Sequence, residues 1–101
     1  MIEKNKMILA QLSVYPIGEG ISLGKFVKKG IQVIKDSGYT YSVGGLSTAI
    51  ELPDMDSLFA LVKKVRQAHL DLGAKRIVVD LKIDDRGDKN ATLESKIHSV
   101  T

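Results

Sequence analysis

The groups with which this sequence can do chemistry are a few hydroxyls, carboxylates and imidazoles: Ser13, Ser47 and Thr48; Glu51, Asp80 and Asp84; His69 and His98. A hydroxyl becomes a nucleophile only beside a base, and no histidine is predicted on the same face as Ser13, Ser47 or Thr48. The three carboxylates form an acid pair only if folding brings them together, and acids on strands usually pair with neighbours such as Lys82. His69 lies in an apolar helical stripe between Val65 and Leu72, with no second ligand four residues away. It reads as a core-edge histidine satisfied by one hydrogen bond, and His98 as a surface residue. There is no cysteine, which removes thiol catalysis, disulfides and cysteine-based metal sites. The pattern points away from catalysis and towards binding.

Two loops qualify that reading without changing it. The stretch Gly18-Glu19-Gly20-Ile21-Ser22-Leu23-Gly24-Lys25 stands between a strand and a helix, where a phosphate loop would stand. Its glycine spacing misses the dinucleotide fingerprint, and Phe26 occupies the position where a P-loop needs a hydroxyl. Asp84-Asp85-Arg86-Gly87-Asp88 concentrates acids but lacks the alternation and terminal glutamate of a calcium loop.

Periodicity supplies the elements that hold these groups. Met7 to Tyr15 alternates, with Ile8, Ala10, Leu12 and Val14 on one face and Gln11, Ser13 and Tyr15 on the other. Ser22 can cap a helix whose stripe is Leu23, Phe26, Val27, Gly30, Ile31 and Ile34, and Gly38 stops it. Strands are expected at Tyr39 to Val43 and Leu46 to Leu52, separated by Gly44-Gly45 as a turn or bulge. Asp54 or Asp56 caps a second helix that runs through Leu58, Leu61, Val65 and His69 to Gly73. Lys75 to Asp84 alternates again, with Ile77, Val79, Leu81 and Ile83 on one face and Val78, Asp80 and Lys82 on the other. Leu93, Ile97 and Val100 share one side of a short terminal helix. This β-α-β-β-α-β order with a C-terminal helix is the split pattern of an α+β, ferredoxin-like sandwich: a four-stranded antiparallel sheet with two helices on one face.

At 101 residues the expectation is one domain over residues 1–101. Such a domain buries roughly 65% of the surface its unfolded chain exposes, enough for one modest core. Hydrophobic residues make up 44% and charged residues 27%, an ordinary globular mix. The net charge of +3 is scattered rather than blocked, so nucleic acid is not implied. Lys28-Lys29 and Lys63-Lys64 read as solvated helix flanks. Gln11 and Ser13 interrupt the early apolar run on a strand period, unlike a signal peptide, and no segment approaches the roughly 20 apolar residues of a membrane span. A cytoplasmic protein with no membrane partner is the default.

In this order, "AQLSVYPIG", "YTYSVGGLSTAIEL" and "KRIVVDLKIDDRGDK" resemble the small thiamine-binding proteins of the MTH1187/YkoF type, also called the UPF0045 family. The likeness runs from about Met7 to Val100. It is carried by Ser13, Tyr15 and Pro16, by Tyr41, Val43, Thr48, Ile50 and Glu51, and by Lys82, Asp84 and Arg86; His69 and Arg76 also match. Gly44-Gly45 departs from the family pattern after Val43. The resemblance implies a ferredoxin-like fold and subunits joined through their sheets into dimers or tetramers. It also implies binding of thiamine or its hydroxymethylpyrimidine portion without catalysis, thiamine being a bound ligand rather than a cofactor.

A 4-aminopyrimidine displays an amine donor flanked by ring-nitrogen acceptors, so its site needs donors and acceptors around an apolar slot. Gln11, Ser13, Thr48 and Glu51 suit that ring, and Glu51, Asp80 or the Tyr15 ring suits the thiazolium cation. Strict alternation puts Thr48 and Glu51 on opposite faces, so they share a pocket only if it wraps an edge or a bulge intervenes. An assembly module with a different small-molecule ligand is the alternative. On either reading Val78, Asp80 and Lys82 belong to a subunit interface, since Met7, Leu9, Tyr15 and Val78 make the second sheet face too apolar to stay open.

Overall fold

The computed structural model describes residues 6–18 and 23–101. The expected cap Ser22 and most of the glycine-rich loop lie outside the described residues. The elements are β1 (Ile8–Pro16), α1 (Leu23–Asp36), β2 (Tyr41–Val43), β3 (Thr48–Leu52), α2 (Met55–Asp71), β4 (Ile77–Asp84) and α3 (Leu93–His98). The strands pair antiparallel in the order β2-β3-β1-β4. This is the ferredoxin-like arrangement expected from the periodicity.

Register explains where the core sits. Ile8, Ala10 and Leu12 stand opposite Leu52, Ile50 and Thr48 on one side of β1, and Ala10 and Leu12 stand opposite Ile83 and Leu81 on the other. Directly opposed residues share a face, so one aliphatic surface spans the sheet. The helices close it with Ile34 from α1 and Leu58, Leu61 and Val65 from α2. Ile50, Leu52 and Leu58 are wholly buried, and each such side chain contributes about 1.5–3 kcal/mol relative to leaving it in water. Val79 shares this face but is 38% exposed, because it lies on β4, an edge strand of the sheet.

The helix ends follow local chemistry. Asp54 accepts a hydrogen bond from the Ser57 backbone N–H at 2.7 Å, which settles the choice between Asp54 and Asp56 as the α2 cap. Gly38 and Gly73 hold φ of +84° and +98°, the left-handed region that a side chain disfavours, just past the ends of α1 and α2. Gly30 serves a different need. A Cβ there would lie 3.4 Å from His69 Cε1 and 3.6 Å from Val65 Cγ1, which marks Gly30 as a point where α1 packs directly on α2.

Two expectations are corrected. Strand β3 begins at Thr48, not Leu46, because the Gly44 N–H donates to the Ser47 carbonyl at 2.9 Å and closes a tight connection. Leu46 therefore sits at the hairpin tip, 94% exposed. The pairs Tyr41–Ile50, Ser42–Ala49 and Val43–Thr48 run in unbroken register, so Gly44-Gly45 makes a turn and no bulge. The second sheet face is also less open than expected. Leu9 is buried because the C-terminal segment crosses beside it, tied by Met7 N–H to Asn90 Oδ1 and Leu93 N–H to Glu51 Oε2, each at 2.9 Å.

Candidate ligand-binding cleft

Beyond Thr48 the β3 ladder stops while β1 continues to Pro16 alongside β4, leaving Ser13 and Val14 without a β3 neighbour. The space this opens on the helix side is a cleft of about 150 Å³. Leu12 and Val14 form its floor, Phe26, Val27 and Ile31 one wall, the Val43–Ser47 hairpin a second, and Thr48 and His69 supply its buried polar groups. Pockets for drug-sized ligands run to about 300–1,000 Å³, whereas an apolar cavity of about 150 Å³ holds a single benzene-sized ring. The cleft is ring-sized.

Among the described residues the buried polar side chains are Thr48, 8% exposed, and His69, 1% exposed, and both line this cleft. His69 Nδ1 lies 2.9 Å from the Val65 carbonyl. A carbonyl only accepts, so Nδ1 carries the proton. In the tautomer with the proton on Nδ1, Nε2 is a bare acceptor. It has no hydrogen-bond partner among the described residues. The expected core histidine is thus only half satisfied. The signal available in sequence was Gly30, which falls on the buried stripe of the neighbouring helix.

The opposite face of the sheet carries a second hollow of about 360 Å³, lined by Gln11, Ser13, Tyr15, Ser47, Asp80 and Lys82 together with Leu46. Gln11 Nε2 donates to Ser47 Oγ at 2.8 Å, and Asp80 stands across from Ser13 on β4. Ser13, Leu46 and Ser47 border both hollows, which meet around the β1 edge that β3 leaves free. Glu51 belongs to neither. Its carboxylate accepts from Leu93 N–H, and it borders a broad depression under α3. The six sequence-derived site residues therefore fall into three places: Gln11, Ser13, Tyr15 and Asp80 together, Thr48 around the edge from them, and Glu51 apart.

The acids whose ionisation is displaced serve other purposes. The Ser57 backbone N–H holds Asp54 below its ordinary value, Lys96 does the same for Asp84, and Arg86 lowers Asp88 to about 2. None of these acids lines either hollow. Among the described residues no three His, Cys, Asp or Glu side chains stand together to hold a metal ion. No described helix is long and apolar enough to cross a membrane.

Comparison with known proteins places this architecture. The family model described as "Thiamine-binding protein" matches residues 10–101. The chain belongs to the thiamine-binding protein family. A UPF0045 protein of Methanothermobacter thermautotrophicus is 37% identical over 95 residues, covering 93% of this chain and 96% of the relative. The crystal structure of a Methanocaldococcus jannaschii protein superposes with a TM-score of 0.85 at 33% identity, over 94% of this chain and 96% of that one. A Thermotoga maritima structure, described as a candidate thiamine biosynthesis/salvage protein, superposes with a TM-score of 0.79 at 26% identity, over 94% and 99% of the two chains. The likeness extends over nearly the full length of the chain.

Proposed function

We propose that this chain is a non-catalytic binder of thiamine or its hydroxymethylpyrimidine moiety, acting as a cytoplasmic homo-oligomer. The observation that carries the reading is the ring-sized cleft, whose apolar walls surround the buried Thr48 hydroxyl. The pyrimidine enters between Phe26 and the Leu12–Val14 floor, where the hydroxyl donates to a ring nitrogen. The thiazolium follows the open β1 edge past Ser13 and Ser47 towards the second hollow. There the Asp80 carboxylate and the Tyr15 ring, 41% exposed, offer a cation a charge and a π-face. A net charge of +3 does not draw a cation to the protein as a whole, so the attraction is local.

Calorimetry with thiamine, its phosphates and hydroxymethylpyrimidine tests this. At least one is expected to bind, and a hundredfold excess over its Kd stabilises the fold by about 2.7 kcal/mol. Absence of heat at millimolar ligand, from folded protein, overturns the reading. The exposed rim of Val27, Val43 and Leu46 favours the second reading, an assembly module with another ligand. A thermal-shift screen that stabilises the chain only with unrelated compounds supports it.

A further inference from the structure

We propose that His69 is the specificity-determining acceptor of the cleft: its Nε2 takes an N–H from an exocyclic amine, so the cleft selects an aminopyrimidine over the matching oxo-pyrimidine. The inference rests on the reading above that a pyrimidine occupies the cleft. It begins from an unpaired atom. Buried polar groups are nearly always hydrogen-bonded, and an orphan calls for a cause. His69 Nδ1 is committed to the Val65 carbonyl, while Nε2 has no partner among the described residues although the side chain is 1% exposed. His69 shares one cleft with the other buried polar side chain among the described residues, Thr48.

The two groups are complementary in chemistry. Thr48 has a hydroxyl proton to donate and His69 Nε2 has a lone pair to fill, and a 4-aminopyrimidine presents a ring-nitrogen acceptor next to an amine donor. An oxo group at the same carbon would set a second acceptor against Nε2 with no proton between them. Discrimination of this kind comes from the buried group left unpaired by the wrong ligand. Gly30 of α1 packs against the imidazole, a Cβ there standing 3.4 Å from Cε1, the ring carbon bonded to Nε2. Nε2 is closed to solvent, so the contact forms as neighbouring side chains part. Phe26, its ring centroid 5.5 Å from that of His69, is the neighbour positioned to yield.

The test is calorimetry of the full chain and of His69→Phe against hydroxymethylpyrimidine and its 4-oxo counterpart. The native protein is expected to prefer the amino compound by about tenfold to a hundredfold, the usual consequence of stranding one buried acceptor. His69→Phe should lose that preference while unfolding at the same temperature or higher, since an apolar ring replaces an orphaned polar one. Retention of the full preference by His69→Phe, or equal affinity of the native protein for both compounds, overturns the inference and leaves pyrimidine binding standing. Binding of neither compound overturns the pyrimidine reading and this inference with it. Should His69→Phe fail to fold, the ¹⁵N resonance of Nε2 in the native protein decides the matter. It should move with the amino compound and not with the oxo one, and a resonance unmoved by a bound amino compound overturns the assignment.

Discussion

Thr48 shows how much a single hydroxyl can be asked to do. It belongs to the core face by register, opposite Leu12 and Val43, yet it is a polar group where aliphatic side chains would serve packing better. Thr48→Val keeps the branched shape and removes the donor. Pyrimidine affinity should fall about tenfold, one hydrogen bond's net worth, while the urea midpoint stays within error or rises. Titration calorimetry beside an unfolding curve separates the two effects, and a loss of stability equal to the loss of affinity would show that the hydroxyl serves the fold. His69 gives the complementary lesson. Its Nδ1 bond to the carbonyl four residues earlier follows from helix geometry and is expected for a histidine in a buried stripe. That Nε2 is buried with no partner among the described residues depends on what α1 packs over it, which no local pattern encodes.

Among the elements, α3 is held by contacts rather than by burial, for none of its residues is buried. Thr92 and Ser95 form a capping box at its start. Glu51 accepts from Leu93 N–H at 2.9 Å, and Lys96 Nζ pairs with Asp84 at 2.5 Å. Glu51→Ala should undock the helix and expose Leu9, seen as faster amide exchange at Leu93 with the β1 and β3 amides still protected. The Asp84 pair adds a pH dependence whose sign is definite. Lys96 lowers the folded-state value of Asp84 below 3.8. The pair's contribution is therefore complete above about 3.8, the value in the unfolded chain, and is lost as pH falls through the lower folded value. Protection of the α3 amides should decline over that acidic window and decline earlier in high salt, which screens an exposed pair. Asp84→Asn should remove the pH dependence.

For the whole molecule, the question is what covers the face of the sheet away from α1 and α2. The C-terminal segment covers Leu9, but Tyr15 and the Val78–Lys82 stretch of β4 lie beyond its reach and stay partly or largely exposed. A second copy of the chain is the proposed cover. Val78 stands opposite Tyr15 on that face, whereas Leu81 stands opposite Leu12 and packs against the core. Val78→Asp should give a folded chain of lower mass, and Leu81→Asp should give little folded protein, because a buried unpaired charge costs several kcal/mol. Light scattering after size exclusion, with circular dichroism, distinguishes them. A Val78→Asp variant with the native mass would mean that no subunit sits there.

What the sequence determined by itself was everything that repeats with a fixed period or a fixed chemistry. The alternation of β1 and β4, the stripes of α1 and α2, the Asp54 cap and the stops at Gly38 and Gly73 are local consequences of side-chain direction and backbone sterics. The alternation even separated Thr48 from Glu51, and unbroken register keeps them on opposite faces. Tertiary structure decided how those pieces end against one another. Strand β3 begins two residues later than its apolar pattern suggests because Gly44 closes the hairpin onto Ser47. That short strand leaves the β1 edge free, and the free edge makes the cleft and joins it to the hollow behind. Glu51 meets Leu93 across 42 positions of chain, and His69 meets Gly30 of α1. Contacts of that kind arise from packing between distant segments, and periodicity carries no record of which distant residue will arrive.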